Sequence, residues 1–197
     1  ARPFGDYMRA LQVLFAATLG CSAATAAAPD QSVRHELATG ISITFPKDWQ
    51  FESYPMPMAG ASNYRVTIGD LRMAVTGFPL PPIPQGGKSP FDGEEGKAKV
   101  IEIVAETAGQ FAPLASDGPI EPTPVIGDGF LGAYATLNSK NGDAVFPVFS
   151  GRVYACVTTG MVITKTTAFS VSIGSPSCSG VDHKAALAAL SGIVVKS

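Results

Sequence analysis

The chain has 197 residues, of which 46% are hydrophobic and 15% charged, with a formal net charge of −2. That length suits one domain, and so much apolar content against so few charges excludes disorder by composition. No basic stripe is present, which argues against a phosphate-tracking nucleic-acid surface and against electrostatic docking on anionic lipid.

Residues 1–7 fit neither a charged leader start nor a helix, and Met8 is the natural beginning of the first regular segment. Arg9 supplies a positive n-region, residues 10–19 a short apolar run, and Ala24-Thr25-Ala26 a small-x-small cleavage signal. Residues 1–26 are therefore expected to be a secretory signal peptide, cleaved after Ala26. The run is too short for a stable bilayer anchor, so no transmembrane anchor is expected after cleavage. A second reading is open at Gly20-Cys21, because Gly-Cys after an apolar run can serve as a lipid-attachment site. Thr18 stands where Leu is usual in such sites, and cysteine parity favours simple cleavage. Once Cys21 leaves, Cys156 and Cys178 remain as an even pair in an oxidising compartment. A disulfide between them is expected, worth about 3 kcal/mol in the chain-entropy picture. Two buried thiols are the alternative. The leader favours the periplasm over secretion to the medium.

Residues 27–36 read as a flexible tether and 37–197 as a single globular domain. Ile41, Ile43 and Phe45 alternate with Ser42 and Thr44, the period of a half-buried strand that Pro46 ends. Trp49 and Phe51 follow as large core candidates. Across residues 64–76, a two-residue turn at Gly69-Asp70 pairs Ile68 with Leu71, Val66 with Met73 and Tyr64 with Val75. All six then share one face, while Arg65, Thr67, Arg72 and Thr76 share the other. A Pro/Gly-rich loop over residues 78–91 leads to Asp92, which with Glu95 has capping-box spacing. The helix that follows runs to about Phe111. Val100, Ile101, Val104, Ala108 and Phe111 form its apolar face.

Two strands, 130–137 and 144–149, flank an Asn141-Gly142 hairpin signal that sets Lys140 opposite Asp143. Strands over 153–157 and 169–173 come next, with Thr159-Gly160 and Lys165-Thr166 both open as turns. Asp182 is expected to cap a short last helix carrying Ala186, Leu187, Leu190 and Ile193. The fold class is α+β: a mainly antiparallel sheet flanked by one long amphipathic helix and a short C-terminal helix.

Residues 40–49, Gly-Ile-Ser-Ile-Thr-Phe-Pro-Lys-Asp-Trp, resemble the first strand of the PsbP-like superfamily, an apolar alternation running into Pro-x-x-Trp. The later element order is similar, so the resemblance spans roughly residues 37–195. It implies an α/β/α sandwich around an antiparallel sheet. Members include extrinsic photosystem proteins, nuclear-import factors and envelope lipoproteins, mostly non-catalytic binding or assembly proteins. No site residue carries over.

Motifs for chemistry are sparse. Gly127 to Gly132 match G-x-G-x-x-G, but a strand follows where a dinucleotide site needs a helix. Neither G-x-S-x-G nor S-x-x-K is present, nor C-x-x-C, nor H-E-x-x-H. His35 falls in the tether, and His183 is read as a solvated first-turn histidine. A hydrolase would need His183 in a cleft with a serine and a carboxylate. Glu102 and Glu106 sit on a polar helix face and are not read as an acid–base pair.

The segment Tyr54-Pro55-Met56-Pro57-Met58 is the candidate interaction loop. Met56 and Met58 could instead supply thioethers to Cu(I), with Met73, Met161 or a histidine completing the site. No cofactor or committed metal site is expected. The expected function is that of an exported non-catalytic binding or assembly protein of the bacterial cell envelope, with a protein or small-ligand partner. A Cu(I)-handling protein using Met56 and Met58 is the first alternative, and a hydrolase with a scattered active site the second.

Overall fold

The computed structural model describes residues 31–83, 87, 89–116, 118–142, 144–145 and 151–196. The leader with Met8 and Cys21, residues 27–30 and the Lys140–Asp143 pair's acidic partner lie outside them.

The expected Gly69-Asp70 hairpin is present in the expected register. It joins β4 (Ser62–Ile68) to β5 (Leu71–Pro79), with Ile68 opposite Leu71, Val66 opposite Met73 and Tyr64 opposite Val75. Gly69 takes the positive φ, 49°, that such a turn requires. Around this hairpin a seven-stranded antiparallel sheet forms in the order β3-β4-β5-β11-β10-β7-β6. Its other members are β3 (Gln50–Tyr54), β6 (Thr123–Gly127), β7 (Phe130–Asn138), β10 (Cys156–Thr164) and β11 (Thr167–Ser175). A second sheet pairs β1 (Ser32–Ala38), β2 (Ile41–Pro46) and β12 (Val194–Val195). A short ribbon pairs β8 (Ala144–Val145) with β9 (Val153–Tyr154).

The helices α1 (Gly93–Gly109) and α2 (Val181–Ser191) cover opposite faces of the large sheet. Strand alternation decides which side chains meet which helix. Met73, Val75, Phe169, Val171 and Ile173 point to a core closed by Ile41, Ile43 and Phe45 of the small sheet and by Ala186 and Leu190 of α2. Ala133, Ala135 and Ile163 point the other way, against Val100, Val104 and Ala108 of α1. The α+β class and helix placement agree with the reading from sequence.

Four local expectations are corrected, and one open choice of turn is decided. The stretch assigned to the tether is a strand from Ser32 onward, paired with β2 along its length. Arg34 donates to Ser42 Oγ at 2.6 Å, and His35 stacks on Phe51 at 4.0 Å. An edge strand whose one fully buried apolar side chain is Leu37, with His35 against Phe51 and Phe45, leaves little hydrophobic period to read.

The Asn141-Gly142 hairpin does not form between β7 and β8. Both edges of β7 are taken, by β6 and by β10, and β8 pairs β9 instead. The turn between β10 and β11 falls at Lys165-Thr166, where Thr164 Oγ1 accepts from the backbone N–H groups of Thr166 and Thr167. Asp92 occupies the N-cap of α1, but its carboxylate accepts from the Ser89 N–H at 3.0 Å, so no capping box closes with Glu95. Gly180, not Asp182, caps α2.

Candidate functional site

Two places concentrate chemistry. The first lies under α2. In that helix His183, Ala186 and Leu190 recur at i, i+3 and i+7, so the histidine shares the buried face with the aliphatic residues. His183 is 1% exposed, which overturns its reading as a solvated residue. Alternation in β7, β10 and β11 sends Thr136, Thr158, Cys156 and Ser175 to the same side of the sheet.

His183 Nδ1 lies 2.9 Å from Ser175 Oγ, and Nε2 lies 3.1 Å from Thr158 Oγ1. Ser175 donates to the Ser177 carbonyl at 3.1 Å, so its oxygen accepts from the Nδ1–H. Nε2 then accepts from Thr158, and Thr158 accepts from Thr136 at 2.6 Å. One neutral tautomer satisfies the whole chain of hydroxyls. Burial lowers the His183 pKa from 6.5.

The expected disulfide is formed between Cys156 and Cys178. The Cys156 sulfur packs 3.7 Å from both ring nitrogens of His183. A serine therefore does stand beside His183, as a hydrolase would need. Ser175 is only 2% exposed, and the ring's partners are hydroxyls and sulfur instead of a carboxylate. This set is closed to substrate and lacks the third member of a triad.

The second place is the end of the large sheet at which β3, β5, β6 and β10 finish. One row of registered residues crosses it: Phe78 opposite Ala168, Ala168 opposite Ile163, Ile163 opposite Leu131, Leu131 opposite Ile126. The two ends of the row are about 19 Å apart at strand spacing. Both are exposed, Phe78 at 36% and Ile126 at 62%.

Between them the N-terminal turn of α1 leaves a cleft of ≈ 360 Å³, lined by Phe91, Lys97, Ile126, Phe130, Leu131 and Lys165 among others. Met58 is 55% exposed on the β3–β4 loop, and Ile83 is 38% exposed on the loop leaving β5. Pro79 lies near Gly60, so the β3–β4 loop passes the end of β5 from which the Ile83 loop leaves. Tyr54 closes β3, hydrogen-bonds to Glu52 and lies under the Arg65 guanidinium, 4.5 Å from its ring centre.

The residues considered as copper ligands are scattered. Met56 is half-buried, Met73 lies in the core, Met161 is half-buried on the α1 side of β10, and His183 is sealed under α2. Among the described residues no three His, Cys, Asp or Glu side chains group to hold a metal. The G-x-G-x-x-G stretch is the β6–β7 hairpin, with Gly129 at φ 78° in its turn and a strand following it where a dinucleotide motif opens a helix. Among the described residues no helix is long and apolar enough to cross a membrane.

Sequence reasoning named Tyr54, Met56 and Met58 as a candidate loop and paired Cys156 with Cys178, which are bonded in the structure. It missed Ile126, Phe78 and Ile83 as parts of one surface, and the joining of His183 to Thr158 and Ser175. The spacing of 183, 186 and 190 was the available signal for His183. No family model matches the chain, and no curated protein matches its sequence.

Proposed function

We propose that the chain is an exported, non-catalytic binding or assembly protein of the bacterial cell envelope. Its protein partner sits on the sheet end that carries Met58, Phe78, Ile83 and Ile126. The observation that carries this reading is the exposure of four large apolar side chains around one end of one sheet, where loops and a cleft also converge. Export is supported by the leader and by the disulfide. The PsbP-like resemblance points to the same class.

The test is site-specific photocrosslinking in living cells. A crosslinking residue is placed at Met58, at Ile126, or at Val181, which is 83% exposed at the start of α2. Val181 follows the opposite end of β11 and serves as the control. The same adduct from Met58 and Ile126, absent from Val181, supports the reading. No adduct from either, or equal adducts from all three, overturns it.

A further inference from the structure

The two sulfurs of the disulfide are not equivalent. Cys156 lies on β10 with no exposed surface, whereas Cys178 lies half-buried on the segment joining β11 to α2. Thiol–disulfide exchange needs one sulfur open to an attacking thiolate and a leaving sulfur whose negative charge can be handled. Access selects Cys178 as the sulfur attacked, so Cys156 must leave. A bare thiolate at a fully buried position is costly unless a proton reaches it.

His183 stands 3.7 Å from that sulfur through both ring nitrogens. It also ends a hydroxyl relay that runs through Thr158 to Thr136, whose side chain is only part-buried. The groups facing the ring are the Thr158 hydroxyl and the Cys156 sulfur from β10 and the Ser175 hydroxyl from β11. Its neighbours on α2, Asp182 and Lys184, are exposed.

We propose that Cys178 is a thiol-exchange site and that His183 passes the proton to and from Cys156. A thiolate RS⁻ attacks the Cys178 sulfur and forms an R–S–S–Cys178 bond. The Cys156–Cys178 bond breaks with its electron pair on Cys156. The Nδ1 proton of His183 leaves its bond to Ser175 and moves to Cys156, while Nε2 takes one through Thr158 from Thr136, which solvent at the part-buried Thr136 side chain replaces. The imidazole thus stays neutral and changes tautomer. A second thiolate attacks the R sulfur, releasing R–S–S–R and reduced Cys178. Two external thiols are oxidised as the protein's disulfide is reduced. Run in reverse with an external disulfide, the same path installs the bond.

The test incubates the oxidised full chain with glutathione, quenches with acid and maps the adduct by mass spectrometry. Glutathione on Cys178 with a free thiol at Cys156, formed at a rate unchanged by urea below the unfolding transition, is expected. An adduct on Cys156, or a rate that climbs with urea as global unfolding does, overturns the proposal. His183→Gln is expected to slow exchange per glutathione thiolate at least about tenfold without moving the adduct. An unchanged rate removes His183 from the step. The unaltered protein supplies an independent readout, because exchange should slow in D₂O if a proton is in flight, and equal rates in H₂O and D₂O exclude the relay.

Discussion

Replacing His183 with Ala tests whether the cluster under α2 is held by a neutral, buried imidazole. The substitution empties a fully packed position and removes one hydrogen-bond partner each from Thr158 and Ser175. Thr158 keeps Thr136, and Ser175 keeps the Ser177 carbonyl, so neither hydroxyl is orphaned. Cavity formation and two lost bonds together predict a loss of about 3 kcal/mol near pH 7.5.

The pH dependence carries the sharper information. The folded-state pKa of His183 lies below 6.5 because burial disfavours its charged form. Above pH 6.5 both folded and unfolded chains hold it neutral, and its contribution is complete. As pH falls below 6.5 the unfolded chain takes up a proton that the folded chain refuses, so wild-type stability drops. The drop ends once pH passes below the folded-state value. Between pH 7.5 and 5.0 it is bounded at about 2 kcal/mol by the 6.5 reference and the linkage slope.

His183→Ala has no such group, so its deficit relative to wild type should shrink at pH 5.0. His35, whose pKa burial also lowers, is common to both proteins and cancels. Urea unfolding at the two pH values reads the difference. A deficit that is equal at both, or below about 1 kcal/mol at pH 7.5, would refute the buried neutral histidine.

Removing the disulfide by Cys156→Ala with Cys178→Ala should lower stability by about 3 kcal/mol in urea unfolding, and an unchanged midpoint would show that the bond constrains nothing. Gly132→Ala would drive a methyl to 2.5 Å from the Met161 carbonyl on β10, which a central strand cannot yield. A loss of about 1–3 kcal/mol is expected, read as a fall in Tm. Gly129→Ala places a side chain at φ 78° and 3.0 Å from Val195, so it should cost about 1 kcal/mol. In the same thermal scans NAD should protect neither this variant nor the wild type, since the segment is a hairpin. Met58→Gln should leave stability within about 0.5 kcal/mol while lowering the yield of the Ile126 crosslink.

Local pattern was strong enough to place the Gly69-Asp70 hairpin residue by residue, because turn chemistry and one apolar face shared by both strands demand one register. The apolar face of α1 was legible for the same reason, its period matching the side chains that reach the sheet. Asn141-Gly142 carried an equally good turn signal yet does not join its flanking strands. The pattern of β7 cannot announce that β6 and β10 will occupy both its edges, which is a matter of long-range pairing. Ser32 to Glu36 read as tether because this stretch is held by backbone bonds to β2 and by His35 against Phe51 and Phe45, neither of which leaves an apolar period, the buried Leu37 coming only after it.

The sequence by itself determined the α+β class, the turn that starts the large sheet, the two amphipathic helices and which cysteines could pair. These follow from short-range periodicity, turn residues and parity. Only the tertiary structure decided that Phe78 and Ile126 stand on one row, at the two ends of five neighbouring strands and nearly fifty residues apart in the chain. Only it brought His183 onto Ser175, Thr158 and the Cys156 sulfur. Those meetings depend on strand order and on the face against which each helix packs, and both are set by competition among distant hydrophobic faces for one core.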